Sequence, residues 1–194
     1  MSIARQQPMT LHQFLAWEER QELRFEFDGY EPVAMTGGTA AHDAIQRNIL
    51  VALTVRLRGK PCQPFGSNLK IGVAGRIRYP DAFVVCTPVP PRATVVTDPV
   101  IVFEVLSEGN PNTDLIDKNA EYRATPSVRH YVILAQSHMA AIVFVRDGDR
   151  WASEILSRPD AVLDLPEIGA AIPLAEFYID VALTDRYTPS PSAT

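Results

Sequence analysis

The sequence predicts a mixed α/β (α+β) fold, a curved sheet of roughly six to eight strands with helices packed on it. Three observations point there. Segments of period-two alternation, "LRFEFDGYEPVAM" and "SNLKIGVAG", flank "HDAIQRNILVALTVRLRG", where Ile45, Ile49, Leu53 and Leu57 recur at helical spacing. The apolar run from Val100 to Leu106 has the length and β-branched content of a buried strand. Neither a repeat nor a shift in composition divides the chain. Residues 1–183 are therefore expected as one domain and 184–194 as a flexible C-terminal tail.

In chain order, Thr10 and Gln13 fit a capping box opening a helix over "LHQFLAWEERQ". Asp28-Gly29 marks a hairpin turn in the alternating segment that follows. The long helix is expected from His42 to the breakers Gly59 and Pro61. In "SNLKIGVAG", Leu69, Ile71 and Val73 share one face, and Asn68 and Lys70 the other. "RIRYPDAFVVC" reads as one further strand, and "PVPPRATVVTDP" as an exposed Pro-rich loop. After the Val100–Leu106 strand, "SEGNPN" is a loop. Asn112 or Thr113 can cap a helix running to Ala124, before Pro126. "VRHYVILA" and "AIVFVRDGDRWASEIL" read as three strands, the last two joined at Asp147-Gly148. "PLAEFYI" reads as a short terminal helix.

A chain of 194 residues can bury a sizeable core. Its net charge of -5 gives no overall attraction to nucleic acid, so such a partner needs a local basic patch. Arg56, Arg58 and Lys60 at a helix end, and Arg76 with Arg78, are the candidates; each group also reads as a solvated face. Cys62 and Cys86 stand alone without C-x-x-C spacing, so they are expected as small core hydrophobes rather than as a zinc site or a disulfide. The first ten residues carry no apolar signal region, and no apolar run approaches the roughly 18 residues that cross a membrane. The expected location is the cytoplasm, with no membrane partner.

Glu104 interrupts the apolar run Val100–Leu106, where an unpaired buried carboxylate costs several kcal/mol. Either a cation satisfies it or it serves a chemical use. Asp81 stands 23 positions earlier, after Pro80, at the head of another apolar strand. If the two strands are neighbours, their carboxylates face each other. Two close carboxylates repel unless a cation neutralises them, and a divalent metal does so readily. Magnesium takes one or two carboxylates and accepts phosphate oxygens. Lys118 lies 14 positions after Glu104 on the following helix, bordering the face that carries Leu115 and Tyr122. There its ammonium can orient a water or stabilise charge developing on a phosphate. Blander readings stand beside these: Asp81 as a strand cap, Lys118 paired with Asp114, and Glu26 on the polar face of a hairpin whose Phe25 and Phe27 point inward.

The ordered set "YPDAFVVC" and "PVIVFEVLSEGNPNTDLIDKNAEYRATPSVRHYVILA" resembles the Uma-type restriction endonuclease family of the PD-(D/E)XK nuclease superfamily. Pro80-Asp81, Glu104-Val105-Leu106-Ser107, Asp114, Lys118, Tyr122 and Tyr131 match its pattern. Upstream, "FEFDGYEPVAM" and the helix from His42 resemble its N-terminal segments. The resemblance implies a restriction-endonuclease-like fold, with Asp81 and Glu104 as metal-binding carboxylates helped by the Val105 carbonyl, and Glu26 as the N-terminal acidic residue. The superfamily's usual lysine stands two positions after the glutamate, where this chain has Leu106, and Lys118 is the natural substitute. The implied activity is a Mg²⁺-dependent (or Mn²⁺-dependent) endonuclease hydrolysing DNA. A catalytically silent DNA-binding or assembly module of the same fold is the rival, and a metal-free scaffold forming homodimers through its hairpins is a third reading.

Overall fold

The computed structural model describes residues 8–35, 37–106 and 113–184, the side chains of 113 and 114 excepted. The loop expected over 107–112, the Asn112 or Thr113 cap, the Asp114 side chain and the tail beyond Thr184 lie outside the described residues.

The N-terminal helix α1 (Leu11–Glu18) opens on the expected capping box: Thr10 N–H donates to Gln13 Oε1 at 2.8 Å, and Gln13 N–H donates to Thr10 Oγ1 at 3.2 Å. The hairpin β1 (Phe25–Phe27) and β2 (Pro32–Ala34) follows. Its turn spans four residues, with Asp28 Oδ1 accepting from the Tyr30 and Glu31 amides and Gly29 at φ +98°. Helix α2 (Ala40–Leu57) starts two residues earlier than expected, because Thr39 Oγ1 caps it by accepting from His42 N–H.

Next come β3 (Gln63–Gly66), β4 (Lys70–Val73), β5 (Arg76–Arg78), β6 (Ala82–Val85), the short β7 (Val95–Val96) and β8 (Ile101–Val105). A wide π-helical turn (Thr113–Lys118) runs into α3 (Asn119–Ala124) and on to β9 (His130–Leu134). The chain continues through β10 (Ala141–Asp147), β11 (Arg150–Leu156), β12 (Val162–Leu165) and β13 (Ala170–Pro173). The β10–β11 loop is Gly148-Asp149, one residue beyond the expected pair, with Gly148 at φ +59°. "PLAEFYI" forms a 3₁₀ turn over Leu174–Tyr178.

The described strands form three sheets: β2-β1-β5-β4-β7, β11-β10-β9-β8-β6-β3, and the pair β12-β13. The expected strand number was too low because β3, β7, β12 and β13 are two to four residues long, too short to show a period. "RIRYPDAFVVC" is not one strand. It breaks at Tyr79–Asp81, where proline withholds a ladder donor, and the chain passes from the first sheet into the second. In the second sheet only β8 and β9, joined through α3, are described as a parallel pair.

The second sheet buries both faces. Ala82, Val84, Ile101, Phe103 and Val105 pack with α2 and the C-terminal elements. Phe83, Val85, Val102, Tyr131 and Ile133 pack with Tyr122 of α3 and with Ile71 and Val73 of the first sheet. A third cluster joins Phe14 of α1 to Phe27, Ile77 and Tyr79. Lys70, placed by alternation on a polar face, is instead buried and paired with Glu18, which also accepts from the Tyr79 hydroxyl at 2.6 Å. Cys62 and Cys86 are half-buried as expected but form a disulfide. The β3–β6 register sets Gln63 opposite Val85, so the flanking cysteines meet. This pairing is invisible in sequence spacing. Disulfides persist in oxidising compartments, so this bond and the expected cytoplasmic location pull in opposite directions.

Candidate active site

Period-two alternation along β8 settles where Glu104 points. Phe103 and Val105 face the α2 core, so Glu104 shares the face of Val102, beneath α3 and the first sheet. It is 4% exposed, and Lys118 and Tyr122, from the helical segment that follows β8, donate to it. Lys118 Nζ donates to Glu104 Oε1 at 3.0 Å, and the Tyr122 hydroxyl donates to the same oxygen at 2.9 Å. The expected helical-wheel position of Lys118 does not apply, because the π-helical turn runs through residue 118. The lysine nevertheless reaches the strand. Burial foremost, then the Glu104 charge, pushes the Tyr122 phenol well above its ordinary pKa, so it stays a donor.

Asp81 lies where the chain enters the second sheet. Ala82 pairs with Phe103, so the next step of that ladder sets Asp81 beside Glu104. Asp81 Oδ2 accepts from Val105 N–H at 2.7 Å, and His42 Nε2 stands 3.3 Å from the same oxygen. The N–H and C=O of an extended residue point the same way, so the Val105 carbonyl is directed to the edge where Asp81 stands. The His42 ring is fitted by its neighbours. A Cβ at Gly38 would stand 3.1 Å from it, and Thr39 fixes the start of its helix. Asp81 and His42 line one cleft of about 460 Å³ with Arg24, Asp43 and Gln46.

Glu26 reaches the same place from the first sheet. Its Oε1 accepts from Tyr79 N–H at 3.0 Å and lies 3.8 Å from Lys118 Nζ, while Oε2 accepts from Arg78 Nη1 at 3.1 Å. The crossing Arg78–Asp81 therefore ties the two sheets together at the carboxylates. Lys118 stands between Glu26 and Glu104, and Asp81 holds the amide of the residue after Glu104.

Arg78 is not available to a nucleic acid. It is 3% exposed and grips Glu121 through Nε and Nη2 at 2.7 and 2.6 Å. Burial works against its charge, but the hydrogen-bonded Glu121 and the charges of Glu26 and Glu121 outweigh burial and hold its pKa above the ordinary value. Arg76 approaches the same Glu121 at 3.0 Å. At the other candidate patch, Arg56 is paired with Glu176. Of the expected basic groups, Arg58 and Lys60 remain exposed.

Sequence reasoning missed Glu121 as the counter-charge of Arg78, His42 as a neighbour of Asp81, and Tyr122 as a donor to Glu104. Position 122 lies four residues from Lys118, and that spacing was the available signal for the last of these.

Strands from two sheets meeting over paired carboxylates, with a parallel β8–β9 pair bridged by a helix, define a restriction-endonuclease-like α/β protein. The chain belongs to the Uma2 family, described as putative restriction endonuclease, which matches residues 11–175. It is 29% identical over 182 residues to an uncharacterized protein of Synechocystis sp., covering 90% of this chain and 93% of that one. A second uncharacterized Synechocystis protein is 26% identical over 157 residues, covering 77% and 88%. The fold matches the crystal structure of a putative nuclease belonging to DUF820 from Anabaena variabilis, with a TM-score of 0.75, 16% identity, and coverage of 89% of this chain and 98% of that one.

Proposed function

We propose that this protein is a metal-dependent endonuclease hydrolysing DNA phosphodiester bonds at Glu26, Asp81, Glu104 and Lys118. The observation that carries the reading is the position of Lys118, whose Nζ is 3.0 Å from Glu104 and 3.8 Å from Glu26. In this reading Lys118, on the neighbouring helix turn, takes the part of the lysine missing at position 106. Family membership and the nuclease-like structural neighbour support the class of activity.

The donor chemistry fits Mg²⁺, with Mn²⁺ as a substitute. Asp81 and Glu104 supply hard carboxylate oxygens on adjacent strand positions, and the Val105 carbonyl is directed to the same edge. Magnesium takes one or two carboxylates and keeps several waters, so this pair of side chains is a sufficient donor set. Bound there, the ion lowers the pKa of water and offsets charge on the phosphate. The chain's own residues do the rest. Tyr122 fixes the Glu104 carboxylate, and the Val105 amide and His42 fix Asp81. Lys118 Nζ, already a donor at the carboxylate, turns a proton toward the attacking water and then toward the charge on the phosphate. Water oxygen bonds to phosphorus as its proton passes to solvent, the bond from phosphorus to the leaving sugar oxygen breaks, and that oxygen takes up a proton from solvent.

The test is a nicking assay on plasmid and single-stranded DNA with Mg²⁺ or Mn²⁺. Asp81→Asn, Glu104→Gln and Lys118→Met are each expected to lose cleavage by a hundredfold or more, about 3 kcal/mol of barrier. Full activity in the Asp81 and Glu104 variants removes the reading. Leu106 and the buried, committed Arg78 favour the rival, a silent DNA-binding or assembly module. Calorimetric titration separates the two: a silent module shows no saturable Mg²⁺ site that disappears in Asp81→Asn.

A further inference from the structure

The sheet that carries Glu104 ends at β11, and among the described residues no strand pairs with that strand's outer edge. Natural proteins blunt such edges with proline, lysine, bulges or covering loops. Here Arg150–Leu156 is seven residues long and contains neither proline nor lysine. Its register with β10 is unbroken from Asp147–Arg150 to Ala141–Leu156. Five of its seven residues are exposed, and Ile155 is 71% exposed.

The direction of the edge groups follows from the ladder. Arg146 N–H donates to Arg129 O on the β9 side, so the Arg146–Trp151 pair is a non-bonded one. Alternation then turns the N–H and C=O of Trp151, Ser153 and Ile155 away from β10. Two copies of this strand can pair antiparallel about a two-fold axis through Ser153. That register sets Trp151 opposite Ile155 of the second copy on both sides of the axis. These side chains lie on the same sheet face as Ile142 and Phe144, which are half-buried. An aromatic beside a β-branched residue is a favourable cross-strand pair. On the other face, Arg150 stands diagonal to Glu154 of the second copy, again twice. A shift of two residues one way sets Glu154 against itself, and a shift of two the other way sets Trp151 opposite Ser153, so charge and the apolar Trp151–Ile155 pair together select the register.

We propose that β11 is a homodimerisation edge, joining two copies through antiparallel Ser153-centred pairing into one continuous sheet. The contact is isologous, so it closes at two copies. It is independent of the catalytic reading, because β9 and β10 stand between β11 and the strand that carries Glu104.

Sedimentation equilibrium on the full chain tests this. The wild type is expected at the mass of two chains at micromolar concentration. Ser153→Pro removes an edge N–H at a position where an edge strand tolerates proline. Ile155→Lys places a charge in the apolar pair. Both are expected to be monomers with unchanged circular dichroism, and Ile155→Lys keeps the test sound if the proline variant fails to fold. Ser153→Cys is expected to yield a covalent dimer on mild oxidation, and Arg150→Cys is not. A monomeric wild type overturns the proposal. So does a dimer that survives both edge variants, which places the contact on another surface such as the exposed Val51 and Val55 of α2. Dimerisation seen only after removal of residues 185–194 also overturns it, by making the chain's own tail the occupant of the edge.

Discussion

Two clusters of buried charge lie side by side in this molecule, and they are built differently. In one, Arg78 grips Glu121 with two nitrogens and Glu26 with a third. In the other, Glu104 is met by a lysine ammonium and a phenol, and Asp81 by a backbone amide and an imidazole. A guanidinium fork fixes geometry and holds its charge. An ammonium is a compact point charge that can turn from one acceptor to another. The first cluster therefore reads as a lock between the two sheets, and the second, in the proposed reaction, as the site whose cation turns to water or phosphate. Glu26 belongs to both, which makes it the coupling between lock and site rather than a free ligand.

The largest expected effect breaks the lock. Arg78→Met leaves Glu121 and Glu26 buried without their main cation and is expected to cost about 3–5 kcal/mol in urea unfolding. A loss near zero would show that Arg78 is not the structural element of the pair. Lys118→Met is expected to cost less, about 2–3 kcal/mol, because Tyr122 still donates to Glu104. The comparison sharpens when divalent ions are added. Melting temperature should rise more with Mg²⁺ in Lys118→Met than in Arg78→Met, since a cation bound at the carboxylates replaces only the lysine's charge. Equal rises in both variants would erase the distinction.

Tyr122→Phe comes next, at about 1.5 kcal/mol, the scale of one hydrogen bond to a charged group. It should slow cleavage without abolishing it. The smallest effect is a control outside both clusters. His130 is 2% exposed, and burial holds its pKa below the ordinary 6.5 although Glu167 stands 3.1 Å away. A depressed imidazole binds protons more readily in the unfolded chain. Its contribution is therefore whole above about 6.5, and stability falls as pH drops through that value toward the folded pKa. Denaturation midpoints of His130→Gln between neutral and mildly acidic pH should show a flatter slope than the wild type. An unchanged slope would assign the acid sensitivity elsewhere.

The elements with strong local signals were legible in advance. The α1 capping box, the core stripe of α2, the three strands from Val128 onward and the carboxylate inside β8 all stand in the chain itself, because period and cap chemistry are local. Lys118 also stands out in the chain, as a basic residue 14 positions after Glu104 on the segment that follows β8. The rest depended on partners far away in sequence. No spacing announces that Cys62 meets Cys86, that Lys70 is buried on Glu18, or that Arg78 is spent on Glu121 rather than offered to a ligand. "RIRYPDAFVVC" carries its proline in plain view, yet one strand or two was settled by which sheet each half joined. Local periodicity determined the presence of helices and strands and the odd placement of Glu104. Strand order and sheet packing decided which charges met, because a buried ion's partner is chosen by three-dimensional proximity and desolvation, neither of which is written along the chain.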